Sequence, residues 1–167
     1  MKTQILKSIA FVSAILLGNI AFAQTSYAAL DTKVEKFLTE HKRDWHDLNM
    51  PYKDGQILHD IIIKNKYTSS VEIETSTGHS TIWLAWVTSK TGGKLITIEI
   101  NERRHKEVLK NIAEADLSDY VDARLGNAHD LVKQLPGQFD FVFSDADKDW
   151  YKQYFIDMDI KLKAGLC

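Results

Sequence analysis

Apolar positions along this chain recur in two periods, and the switching between them predicts its elements. Val34, Phe37 and Leu38 follow Asp31 at helical spacing toward Trp45, with Asp31 placed as the cap. Met50-Pro51-Tyr52 breaks that pattern, and a second helix carries Ile57, Leu58 and Ile61 to Ile63. Short β-rich runs then alternate with helical ones. Strands are expected at Ser70–Ile73, Lys94–Ile100, Val121–Leu125 and Phe139–Ser144. Helices are expected from about Gly78 to Ser89, through Val108, Leu109 and Ile112, near Asp130–Gln134, and from Tyr151 through Tyr154 and Phe155 toward Leu162. This order predicts an α/β fold, a parallel sheet flanked by helices. Trp83 and Trp86 stand three apart on one helix, which predicts core packing.

The first segment has neither period. Lys2 and Lys7 precede an apolar run from Ile9 to Leu17, and Ala21-Phe22-Ala23 supplies a small-x-small cleavage pattern. Residues 1–23 are therefore expected to be a secretory signal, with a second candidate cut after Ala28. The competing expectation is an uncleaved membrane anchor, although Gly18 and Asn19 interrupt the run early for a span. Residues 24–167 form one expected domain, with N-terminal helices to about 66 and an α/β core over 67–167.

Composition narrows the partners. Losing Lys2 and Lys7 from 21 basic residues set against 23 acidic ones moves the formal charge from −2 to −4, which argues against a nucleic-acid partner. Cys167 is the one cysteine, so no intrachain disulfide forms.

Candidate chemistry gathers at the predicted carboxyl edge of the sheet. Val71 to Ser80 is a buried strand, a small-residue loop and a helix start, an arrangement that points backbone N–H groups at a ligand. Glu99 ends the second strand 21 positions after Gly78, close to the spacing at which a carboxylate meets ribose hydroxyls in nucleotide-binding sheets. A solvated strand-end charge explains Glu99 equally well. The fourth strand runs into Ser144-Asp145-Ala146-Asp147-Lys148-Asp149, where Asp145 and Asp147 offer hard ligands for Mg²⁺ or Ca²⁺ and Lys148, beside such an ion, is placed as a general base. An acidic helix start with a solvated lysine is the plainer alternative. His41 and His46 suggest half a zinc site that nothing completes. Those two and His59, His105 and His129 are expected at the surface, and His79, at the helix start, in a capping or solvent role before a role at a ligand.

Together these segments resemble the cation-dependent O-methyltransferases, the family of catechol and caffeoyl-CoA O-methyltransferases. Asp54 to Leu58 is similar to the family's helix-opening segment and Glu72 to Ser80 to its S-adenosylmethionine motif. Leu95 to Asn101 is similar to its ribose-binding strand, and Asp140 to Tyr151 to its metal and base motif. The resemblance implies a Rossmann-like S-adenosylmethionine-dependent sheet and methyl transfer to a hydroxyl of a small, catechol-like aromatic. It implies that Met50 lines the cofactor pocket, Glu72 holds the methionine amino group, and Thr75 and Ser80 meet the carboxylate end. Glu99 takes the ribose hydroxyls, and Asn127 and Ala128 flank the adenine. Asp145 ligates a divalent metal, Mg²⁺ by the family's habit, while also lying near the cofactor, and Lys148 is the base. A homodimer fits the same resemblance.

Two departures stand out. Glu74 occupies a cofactor-loop position where the family has glycine. The sequence ends at Lys163-Ala164-Gly165-Leu166-Cys167, before the family's later strands and remaining metal ligands, so the fold is expected to lack its C-terminal strands and the metal site to be incomplete. A secreted or periplasmic location also conflicts with a cofactor made in the cytosol. The alternative function is a non-catalytic, cofactor-binding remnant of the family. A nicotinamide oxidoreductase is disfavoured, since the full Gly-x-Gly-x-x-Gly loop and a Tyr-x-x-x-Lys pair are missing.

Overall fold

A computed structural model describes residues 27–45 and 50–163. The expected signal segment to Ala23, His46 of the half-site, and the chain's last four residues lie outside the described residues. Helix α1 covers 27–40, followed by α2 (Tyr52–Asn65), β1 (Ser69–Ile73), α3 (His79–Lys90), β2 (Lys94–Glu99) and α4 (Glu102–Glu114). After these come β3 (Val121–Leu125), α5 (Ala128–Gln134), β4 (Phe141–Ser144) and α6 (Tyr151–Asp159). The strands form one parallel sheet in the order β3-β2-β1-β4. Among the described residues no helix is long and apolar enough to cross a membrane.

Strand alternation sorts the core into two layers. Leu95, Phe141 and Phe143 face α1 to α4, packing with Leu38, Ile62, Ile82, Leu84 and Val108. Val71, Ile73, Ile98 and Val142 face α5 and α6, packing with Val132, Tyr154 and Met158. The chain builds outward from β1 to β3 over one face, then crosses by the other to reach β4 on β1's far side. Strand order therefore reverses between β1 and β4, and the carboxyl edge there is where open α/β sheets form ligand crevices.

Helix α3 is buried from His79 to Ser89, so its tryptophans are core, as their spacing predicts, with Trp83 4% and Trp86 6% exposed. Asp31 is not a cap. It lies inside α1, and its carboxylate accepts from the Trp86 indole N–H at 2.7 Å and pairs with Lys90 at 2.8 Å. The fourth strand begins at Phe141 rather than Phe139. Asp140 turns aside to accept the backbone N–H groups of Thr68 and Ser69 (3.1 and 2.6 Å) and the Lys163 ammonium (2.7 Å). Burial works to raise the Asp140 pKa, but Lys163 and those N–H groups hold it below the usual carboxylate value. Helix α6 stops at Asp159 rather than reaching Leu162, because Lys161 and Lys163 bond to the backbone of Phe139, each at 2.8 Å.

Gly55 sets how closely α2 approaches α3. A Cβ there would lie 2.3 Å from Trp83 Cδ1, inside any real contact distance. Gly55→Ala is expected to cost on the order of 1–3 kcal/mol by overpacking, despite alanine's better helix propensity. Urea denaturation measures it, and a variant as stable as the parent would contradict the close approach.

Candidate functional site

A buried polar seam lies between β1, β2 and α3. Glu72 is fully buried opposite Thr97 in the β1–β2 register, and its Oε2 accepts from the hydroxyls of Thr81 (2.5 Å) and Thr97 (2.6 Å). The Thr97 hydroxyl also contacts that of Thr75, extending the seam into the loop. Glu72 Oε1 has no hydrogen-bond partner. Burial pushes the Glu72 pKa up to about 7, against the pull of the Ser80, Thr81 and Thr97 hydroxyls and with help from the negative charge of Asp145. Ser80 thus lies close enough to be felt by the carboxylate, although neither of its atoms completes Oε1. A carboxylate left one donor short in a dry setting is an expensive arrangement, and an arriving cation would relieve it.

The loop after β1 is shaped by left-handed backbone. Glu74, Ser76 and Gly78 have φ of 68°, 55° and 99°. Glycine adopts such values freely, whereas a residue with a Cβ pays roughly 1–2 kcal/mol, so Glu74 holds a conformation its side chain opposes. The loop is tied down by Glu74 N–H and Thr75 N–H, both donating to the Ile98 carbonyl (3.1 and 3.2 Å). Glu99 closes it from β2, taking the Ser76 N–H at 2.8 Å on Oε2 and the Asn101 N–H at 2.7 Å on Oε1. Glu99 is 4% exposed, so it is no solvated strand-end charge. Each of its oxygens keeps acceptor capacity beyond the backbone bond.

Two cavities meet above this floor. The larger, about 770 Å³, is lined by Met50, Glu74, Asp145 and Lys148 among others. The smaller, about 170 Å³, is lined by Glu74, Ile98, Asn127 and Ala128, with Trp150 and Tyr154. Glu74 and Asp147 belong to both walls. Of the residues singled out in the sequence, the structure brings Met50, Glu74, Asp145 and Lys148 to one cavity and Glu74, Asn127 and Ala128 to the other. Glu72, Thr75, Ser80 and Glu99 lie buried beneath, and the Thr75 hydroxyl is turned to Thr97 rather than to open space. Asn127 caps α5 by accepting the His129 N–H at 2.9 Å.

The acidic run after β4 is divided in role. Asp147 caps the turn Lys148–Trp150, accepting the Asp149 N–H, so the plain helix-start reading holds for that residue. Asp145 is exposed on the cavity wall, and partial burial raises its pKa. Among the described residues no three His, Cys, Asp or Glu side chains converge as a metal site. The residues present do not fit a protein-held metal centre beyond Asp145 as a single ligand.

His79 corrects the sequence reading most. It is 1% exposed and stacks on Trp45 with ring centroids 4.7 Å apart. Nδ1 lies 2.9 Å from the Met50 carbonyl, which can only accept, so Nδ1 carries the proton and Nε2 accepts the Trp83 indole N–H at 3.2 Å. Burial accordingly lowers the His79 pKa. This chain of bonds fixes Met50 at the cavity wall. His129 is not free at the surface either, stacking on Trp150 at 3.5 Å beside the smaller cavity. Thr97 had one legible signal, a polar residue at a strand position whose parity faces the core; Thr81, on α3, had no such signal.

Comparison with known proteins places the chain in a family. A family profile described as O-methyltransferase matches residues 25–166. The chain is 42% identical over 89 residues to a catechol O-methyltransferase of Niastella koreensis, covering 51% of this chain and 40% of that protein. It is 31% identical over 129 residues to caffeoyl-CoA O-methyltransferase 1 of Eucalyptus globulus, covering 74% and 52%. An O-methyltransferase from Bacillus cereus, solved in complex with SAH, superposes with a TM-score of 0.71 at 30% identity, covering 81% of this chain and 63% of that one. The chain thus spans about half the length of the curated relatives it matches. On the match to residues 25–166, the chain belongs to the O-methyltransferase family.

Proposed function

We propose that this chain carries the cofactor half of an S-adenosylmethionine-dependent O-methyltransferase that methylates a hydroxyl of a small, catechol-like aromatic. One observation carries the proposal: two adjoining cavities at the carboxyl edge, where strand order reverses, joined at Glu74 and Asp147. The smaller cavity, floored by Ala128 and Ile98, suits a flat adenine. The larger, with Met50, Asp145 and Lys148, suits the methionine portion and the acceptor. Relatives solved with SAH and with SAM support the same ligand class.

In this reading Glu99 takes the ribose hydroxyls on its spare lone pairs, and Glu72 Oε1 gains its missing donor from the amino group. When bound, the cofactor's sulfonium supplies the methyl group. Lys148 takes the proton from the acceptor hydroxyl, and the cavity walls hold that oxygen in line. A second reading, binding without transfer, is favoured by Glu74, whose left-handed backbone burdens the cofactor loop.

Isothermal titration of the chain with S-adenosylhomocysteine tests the proposal, with micromolar affinity expected. With Asp145 the one candidate ligand among the described residues, millimolar Mg²⁺ is expected to change that affinity less than about threefold. No heat of binding in a folded sample would overturn the assignment. Binding without methyl transfer to a panel of catechols would establish the second reading.

A further inference from the structure

We propose that Glu74 selects the charge state of the cofactor, making the groove favour the cationic sulfonium donor over the neutral thioether left after transfer. The inference rests on the proposed cofactor assignment and deepens it. Its basis is position. Glu74 and Asp147 are the acidic residues shared by the larger and smaller cavities. A ligand with its adenine in one cavity and its amino-acid end in the other passes that shared wall at the atom joining its two halves, which is the sulfur.

The carboxylate is held there. The Glu74 backbone is fixed by its bond to the Ile98 carbonyl, and the Asp147 backbone N–H lies near enough to the side chain to lower its pKa against burial. Burial raises the Glu74 pKa, and among neighbouring charges Glu99 and Asp147 raise it further while His129 lowers it, so carboxylates predominate around Glu74. Half-buried charge is screened less than charge in open water. A sulfonium placed there gains attraction that a thioether of nearly the same shape does not. Methyl transfer removes that positive charge without moving the rest of the molecule, so the product is held less tightly than the donor.

The loop conformation and the charge separate experimentally. Glu74→Gln keeps the Cβ, the left-handed backbone and an acceptor for the Asp147 N–H, and removes only the charge. Glu74→Gly removes the charge and the backbone penalty together. The measurement is the dissociation constant of S-adenosylmethionine and of S-adenosylhomocysteine for the full chain and both variants, by titration without acceptor. The ratio of the product constant to the donor constant is expected to fall about tenfold in E74Q, equivalent to ~1.4 kcal/mol. In E74G the ratio should fall equally, and both ligands should bind more tightly than in E74Q. Asp119→Asn, an exposed charge change away from both cavities, should leave the ratio as it was. A ratio in E74Q within twofold of the parent, with both ligands bound, overturns charge selection and leaves the cofactor assignment standing. Failure of the parent to bind either ligand overturns the assignment and the inference with it.

Discussion

Glu72→Gln is expected to weaken S-adenosylhomocysteine binding by roughly 30-fold to several-thousand-fold, while abolishing a pH-dependent loss of stability. The range is that of removing one partner from a buried, hydrogen-bonded charge pair, about 2–5 kcal/mol. The stability half follows from linkage. With the Glu72 pKa raised from 4.5 to about 7 by burial, the folded chain binds more protons than the unfolded chain between those values. Its contribution is most favourable below pH 4.5, declines as pH rises through the window, and above pH 7 reaches a cost of about 3 kcal/mol. Glutamine does not titrate, so the difference in unfolding free energy between parent and variant should change by about that amount between pH 4.5 and 7, with other groups cancelling. The glutamine amide lacks an acceptor where Oε1 lacks a donor, which shifts the offset between the two curves but not their relative slope. Denaturant titrations at several pH values read the slope. Parallel curves would show that the carboxylate is ionised at no cost, and an unchanged affinity would show that Glu72 serves only the core. Because Glu72 is wholly covered, binding at Oε1 entails a local parting of its cover.

The elements that were legible in the sequence are those whose evidence is local. Leu95 to Ile98 is a continuous apolar and β-branched run that specifies a buried parallel strand by itself, Val71 and Ile73 flank Glu72 in a shorter β-rich stretch, and the turn at Gly92-Gly93 separates helix from strand. Glu74 was visible as an intruder in a loop of small residues, and the structure gives it the left-handed backbone that makes its Cβ costly. What stayed hidden depends on partners far along the chain. Asp31 looked like a cap because Trp86, which takes its carboxylate, lies 55 positions away. His79 looked exposed because its burial needs Trp45, Met50 and Trp83, from three separate segments. The smaller cavity is assembled from the loop after β1, the end of β2, the start of α5, the turn before α6 and α6 itself, and nothing within any one of them announces it.

Lys148→Ala is expected to lower kcat for methylation of catechol by roughly 10² to 10⁴, the usual contribution of a positioned acid–base group, and to leave the dissociation constant of S-adenosylhomocysteine within about twofold. The split follows from where Lys148 stands. It opens the turn after β4, exposed on the wall of the larger cavity with Met50 and Asp145, and it takes no part in the smaller cavity, in the loop after β1 or in the seam around Glu72. Its loss therefore leaves the cofactor's expected contacts with the smaller cavity, the loop after β1, Glu72 and Glu99 in place, while the acceptor hydroxyl loses its proposed proton acceptor. A charge on the wall could instead act by attracting an ionised acceptor, and Lys148→Arg distinguishes the two. Arginine keeps the positive charge but does not give up its proton in proteins, so a proton-accepting role predicts that K148R stays as slow as K148A, whereas an attracting role predicts recovery. The pH profile adds a third reading: K148A should regain rate as pH rises toward the catechol's own ionisation, since an acceptor that is already a phenolate needs no base. A variant that loses activity equally at every pH would point to a damaged cavity rather than a missing base, and one that loses affinity for S-adenosylhomocysteine with its activity would move Lys148 from the acceptor side of the groove to the cofactor side.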